Sequence, residues 1–106
     1  MNTKVRSILG ELNRRLATLY GERLRGVYLF GSHARDEANE ESDVDVLIVL
    51  DRVGNYSREI DTTSELTSEL SLEYDVSLSR VFVTEEQWRN GQTNFFQNLR
   101  EEAVPA

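Results

Sequence analysis

The chain has no cysteine, one proline and one histidine among its 106 residues. The absence of cysteine excludes a disulfide framework, Cys-ligated zinc and thiol catalysis. The one proline, Pro105, sits next to the end, and no linker, repeat or low-complexity tract divides the chain. Long apolar runs are also missing. The longest, Val46–Leu50, falls far short of the roughly 20 residues of a membrane-spanning helix. The N-terminus has no apolar core of a secretory signal, so a soluble, cytoplasmic protein with no membrane partner is expected. Positive charge is scarce: 12 Lys and Arg stand against 19 Asp and Glu, a net charge of −7. Such a balance suits direct nucleic-acid binding poorly, because that affinity comes from cancelling phosphate charge.

A hydrophobic fraction of 39% with nine aromatic side chains supports one modest core, hence a single domain over residues 1–106. Val5, Ile8, Leu9, Leu12, Leu16 and Leu19 recur at helical spacing, which predicts a helix over about 3–20 that stops at Gly21. Gly26–Gly31 reads as a buried strand and Val44–Leu50 as a strand covered on both faces. Residues from about 56 to 73 suggest a helix, Asp75–Val83 a third strand, and Thr84-Glu85-Glu86-Gln87 a capping box that opens a short helix. Asn94–Glu102 reads as a last helix presenting Phe95, Phe96 and Leu99. The fold class is therefore α/β (α+β), a small mixed sheet of three or four strands flanked by helices. Twelve residues, Gly31–Ser42, join the first two strands, too few for a crossover helix, so these two pair antiparallel. The helix at 56–73 makes the second and third parallel. This topology draws Gly31-Ser32, Asp43 and Asp45, and the start of the third strand at Asp75 to one rim.

Asp43-Val44-Asp45 places two carboxylates on one face of a strand, roughly 6–7 Å apart along the chain. Their repulsion raises the cost of ionising both, a cost that a divalent cation removes. Mg²⁺ favours one or two carboxylates together with phosphate oxygens. Gly31 allows close backbone approach, the Ser32 hydroxyl and turn amides suit phosphate, and Arg35 can fork onto phosphate oxygens. An EF-hand is excluded, because Leu47 takes the third ligand position. Plainer roles exist for each residue. Asp43 and Asp45 could be strand-edge solvation and Asp75 a cap. Arg35 could pair with Asp36 or Glu37. His33 reads as an exposed loop residue, and Trp88, Phe95 and Phe96 as core. The run Asp36–Asp51 carries seven acids and no base, which outside Asp43 and Asp45 reads as a solvated face.

Gly31-Ser32, ten residues, then Asp43-x-Asp45 at the head of an apolar strand resembles the signature of the DNA polymerase β-like nucleotidyltransferase superfamily. Chance places these four residues so in on the order of one chain in a thousand. Gly31-Ser32-x-Ala34-Arg35, Glu37-Ala38 and Ser42-Asp43-x-Asp45 resemble more narrowly the minimal nucleotidyltransferase (MNT) group, stand-alone domains often paired with HEPN ribonucleases. The similarity extends through Tyr74-Asp75-Val76 to Trp88. Asp36 departs from it, standing where the family usually has glycine.

The resemblance implies an adenylyltransferase antitoxin that transfers AMP from ATP to a tyrosine of a HEPN ribonuclease toxin. It implies Asp43 and Asp45 as Mg²⁺ ligands, with two ions expected. Gly31 and Ser32 would hold the triphosphate, with Arg35 beside them. Asp75 matches the family's third carboxylate, which completes the metal site or helps deprotonate the acceptor. Two other functions remain open: a non-catalytic antitoxin that occludes its partner, and a nucleotidyltransferase acting on a small molecule such as an antibiotic.

Overall fold

In the computed structural model, residues 2–39 and 41–106 are described. The chain runs α1 (Thr3–Tyr20), a 3₁₀ turn (Gly21–Arg23), β1 (Leu24–Phe30), β2 (Val44–Leu50), α2 (Tyr56–Tyr74), β3 (Leu78–Thr84), α3 (Glu85–Asn90), α4 (Asn94–Glu102) and β4 (Val104–Pro105). The four strands form one sheet in the order β3-β2-β1-β4. As expected, β1 and β2 are antiparallel and β2 and β3 parallel.

Local chemistry sets most boundaries. Asn2 caps α1 by accepting from the Val5 amide at 2.7 Å, and Asn55 caps α2 by accepting from Arg58 at 3.2 Å. Each satisfies an amide with no partner inside its helix. The predicted capping box is present at α3, where Thr84 and Gln87 each accept from the other's backbone at 3.0 Å.

Strand β2 lies at the centre and is covered on both faces. Val44, Val46, Ile48 and Leu50 pack with the apolar stripe of α1, Val5, Leu9, Leu12 and Leu16, and with Leu66 and Leu70 of α2. Leu47 and Val49 pack on the other side with Val83 and Leu99 and against Tyr28, Phe30, Trp88 and Phe96. Trp88 stacks on Tyr28 with ring centroids 4.5 Å apart. Phe95, expected in the core, is 47% exposed. In α4 only Leu99 is fully buried and Phe96 packs beside it, whereas Phe95, in the first turn, lies at the surface against the edge of Phe96.

Strand β1 starts two residues earlier than read, at Leu24, and only Val27 and Leu29 on it are buried. The third strand begins at Leu78, and Asp75 is instead the left-handed cap of α2, with φ 51° and its amide donating to Ser71. The helix therefore runs to Tyr74 and is closed by a turn, with Val76 also donating to Ser71 at 3.1 Å. The fourth strand, Val104–Pro105, gives too short a pattern to read. It exists because the chain end pairs with β1, Leu29 opposite Val104 and Tyr28 opposite Pro105.

At the far end of β2 from Asp43, the carboxylate of Glu59 is buried, 4% exposed. It accepts from the Tyr20 hydroxyl at 3.0 Å and from Arg23 at 2.9 Å. Arg23 also reaches Asp51 at 3.2 Å. Burial first, then the Glu59 carboxylate, push the Tyr20 hydroxyl well above its ordinary pKa. The network ties α1, β2 and α2 together and leaves the opposite rim free for the Gly31–Ser42 connection.

Asp75 lies in a backbone region costly to any residue with a Cβ. Asp75→Gly is therefore expected to match or exceed wild-type stability, by up to about 1 kcal/mol, whereas Asp75→Ala lowers it. Urea unfolding of the three proteins checks this.

Candidate active site

Phe30 and Asp45 pair across β1 and β2, so the last residue of one strand faces the first acidic residue inside the other. The chain then turns at Gly31, with φ 76°, a left-handed conformation natural to glycine. A Cβ at Gly31 would overlap the Asp45 carboxylate. Glycine is required here twice, for the turn and for the close approach.

Residues 32–36 form a helical turn. The Ala34 and Arg35 amides donate to the Gly31 carbonyl at 3.1 and 3.2 Å, and the Glu37 amide donates to Ser32 at 2.9 Å. The Ser32 and His33 amides stand at the head of this turn, outside those bonds. Such leading amides, beside a serine hydroxyl, suit an anion. Asp36, the departure from the family's glycine, has φ 57°. It takes up the left-handed conformation that glycine would occupy, which aspartate tolerates better than most residues.

Asp43 is exposed and Asp45 half-buried. Burial first, then the negative charge of Asp43, holds the Asp45 carboxyl above the usual aspartate range; His33 and Arg35 pull it back and Glu102 adds to the rise. This electrostatic frustration fits a cation, which would relieve both causes at once. Asp51, Asp36, Glu37 and Glu41 of the acid run are exposed, as a solvated face requires. Glu40 lies outside the described residues.

Arg35 is already paired. Its Nε donates to Glu37 at 3.1 Å and its Nη1 to Glu102 at 3.0 Å. Glu37 was foreseeable from proximity in sequence. Glu102, 67 positions away, was not. His33 is half-buried rather than exposed, with Nε2 3.4 Å from the Ser42 carbonyl.

Asp75 stands apart. It lines a cleft of about 800 Å³ with Asn2, Lys4, His33, Ser42 and Val44, the last being a residue of the α1-facing side of β2. Among the described residues, no three His, Asp or Glu side chains are gathered as a metal-binding group. The structure thus brings together Gly31, Ser32, Arg35, Asp43 and Asp45, and places Asp75 on a neighbouring turn outside the sheet.

A family model for the nucleotidyltransferase domain matches residues 9–102. The chain belongs to the nucleotidyltransferase domain family. Two proteins of Methanocaldococcus jannaschii named as proposed protein adenylyltransferases are each 36% identical. One aligns over 70% of this chain and 74% of its own length, the other over 82% of each. Among solved structures, a minimal nucleotidyltransferase superposes with a TM-score of 0.61 at 22% identity, covering 96% of this chain and 95% of its own. A complex of a tri-AMPylated Shewanella oneidensis HEPN toxin with its MNT antitoxin also matches. Its TM-score is 0.61 at 17% identity, over 95% of this chain and 70% of the matched chain. A toxin–antitoxin structure with AMP-PNP gives 0.61 at 19% identity, over 90% and 69%. These neighbours share the fold of this nucleotidyltransferase. Among the described residues, no helix is long and apolar enough to cross a membrane.

The raised Asp45 carboxyl has a signed consequence. A carboxyl with its folded pKa above its unfolded value is tolerated when protonated, and the tolerance is lost as pH rises through the folded pKa. Asp45→Asn is therefore expected to melt above the wild type at pH 7 in metal-free buffer. The gap should close as pH falls below the ordinary aspartate value of about 4. Thermal melts across pH 3.5–7.5 measure it.

Proposed function

We propose that this nucleotidyltransferase is an adenylyltransferase that moves AMP from ATP to a tyrosine hydroxyl of a partner HEPN ribonuclease, and so acts as its antitoxin. The observation that carries the reading is the half-buried Asp45 carboxylate beneath Gly31, an acidic group set against a turn whose leading amides suit phosphate. The names of the 36%-identical relatives support the transfer of an adenylyl group to protein. The two toxin–antitoxin neighbours support the partner and the nucleotide.

Asp43 and Asp45 would hold Mg²⁺, with room in the reading for two ions. Bound there, Mg²⁺ supplies positive charge that offsets the triphosphate and makes an acceptor hydroxyl more acidic. The remaining work belongs to the chain. The Ser32 hydroxyl and the amides at the head of the 32–36 turn bind the triphosphate, and Arg35 presents a planar cation to its oxygens. Gly31 leaves the space in which phosphate and Asp45 come close. The acceptor oxygen attacks the α-phosphorus in line and loses its proton; the bond to the bridging oxygen breaks and pyrophosphate leaves. Asp75, on the cleft beside His33 and Ser42, is assigned to the acceptor side rather than to the metal pair.

Incubation with ATP, Mg²⁺ and a co-encoded HEPN partner is expected to add about 329 Da per AMP to the partner, read by intact mass spectrometry. Asp43→Ala with Asp45→Ala should abolish the addition, and Gly31→Ala should reduce it at least about a hundredfold, since a displaced Asp45 misplaces the reacting groups. An unmodified partner that the double variant still neutralises would establish occlusion instead. Modification of a small antibiotic by the domain alone would establish the small-molecule reading.

A further inference from the structure

Strand β1 ends between two acidic side chains that come from opposite directions. On one side, Asp45 of β2 pairs with Phe30. On the other, Val104 of β4 pairs with Leu29. The antiparallel register therefore brings Glu102, two residues before Val104, level with Gly31. The end of α4 is delivered to the Gly31–Arg35 turn by a strand of only two residues, itself held by the Ala106 amide donating to Val27 at 2.9 Å.

Arg35 lies between Glu37 and Glu102 and donates to both, at 3.1 and 3.0 Å. The two carboxylates differ in cover. Glu37 is 65% exposed and Glu102 25%. The better-anchored partner is the one supplied by tertiary structure, because Glu102 is fixed by α4 and β4 whereas Glu37 shares the turn with Arg35. An arginine side chain with two bonded sides has given up most of its rotamers before any ligand arrives. Glu102 and Arg35 also act on Asp45 with opposite signs, so both lie within electrostatic reach of the acidic pair.

We propose that Glu102 is a positioning residue of the nucleotide site: it holds the Arg35 guanidinium in the orientation in which Arg35 meets the triphosphate. The inference rests on the reading of the Gly31–Arg35 turn as a triphosphate site. It adds a residue from the C-terminal helix to a site otherwise built from residues 31–45. The role is distinct from metal binding, since Glu102 acts through Arg35.

The test is a double-mutant cycle on the full chain, read by calorimetric binding of a non-hydrolysable ATP analogue with Mg²⁺. Glu102→Gln should weaken binding about three- to fivefold, the range of an ordinary surface ion pair. Arg35→Ala should weaken it more. In the Arg35→Ala background, Glu102→Gln should cost nothing further, because the residue through which it acts is gone. Glu102→Asp, which keeps the charge but draws it back by one methylene, should fall between. Melting curves establish that each variant is folded at the assay temperature. An equal loss in both backgrounds would mean that Glu102 acts through the fold, and would overturn the proposal, as would unchanged binding in the single variant. Failure of the wild type to bind the analogue would overturn the triphosphate reading itself, a result distinct from either.

Discussion

The site depends on a steric allowance of a single Cβ. Asp45 can stand half-buried at the head of β2 only because Gly31 offers no side chain against it. Remove that allowance and the Asp45 side chain or the β1 turn must shift. The β2 register is not free to follow. Strand β2 is packed on both faces, with Leu47 and Leu50 fully buried, and a slip of one residue would exchange its two faces. The backbone that carries Asp45 is therefore pinned by the core, and the glycine makes room for its carboxylate.

The electrostatics follow from this pinning. A free aspartate would swing into water and away from Asp43. Asp45 is held where burial and Asp43 both oppose its ionisation. A cation placed there would relieve that cost. The opposite end of the same strand shows the alternative. Glu59 is more buried than Asp45, yet Tyr20 and Arg23 satisfy it fully. One carboxylate is matched internally and serves the fold, while the other is left to be matched from outside. Most of the other described acids are exposed, a surface for solvent.

The sequence was a good guide wherever local rules decide. The stripe of α1, the Thr84–Gln87 capping box and the apolar run of β2 each follow from short-range periodicity or capping, and they appear as read except at the end of the stripe, where Leu19 is 43% exposed and Tyr20 is buried instead. It misled at Asp75, because a Tyr-Asp-Val run before alternating residues looks like a strand start. The left-handed turn that ends α2 there has no glycine to announce it. It also gave no sign that Phe95 faces outward, since Phe95 and Phe96 are equivalent until the rotation of α4 on the sheet is set. Asp36 worked the other way: in place of the expected glycine it takes the left-handed conformation that glycine favours.

What the sequence determined alone was the chemistry: Gly31-Ser32 and Asp43-x-Asp45, spaced so that an antiparallel pair of strands must bring them together. Turn length and strand periodicity are local quantities, so that part of the site could be written down from residue order. Tertiary structure decided the company those residues keep. Only the fold could set Asp75 on a turn outside the sheet. Only the return of β4 along β1 could seat Glu102 against Arg35. Contacts between residues 67 positions apart leave no periodic trace in a sequence, because they are fixed by how finished elements pack and not by the rules that make each element.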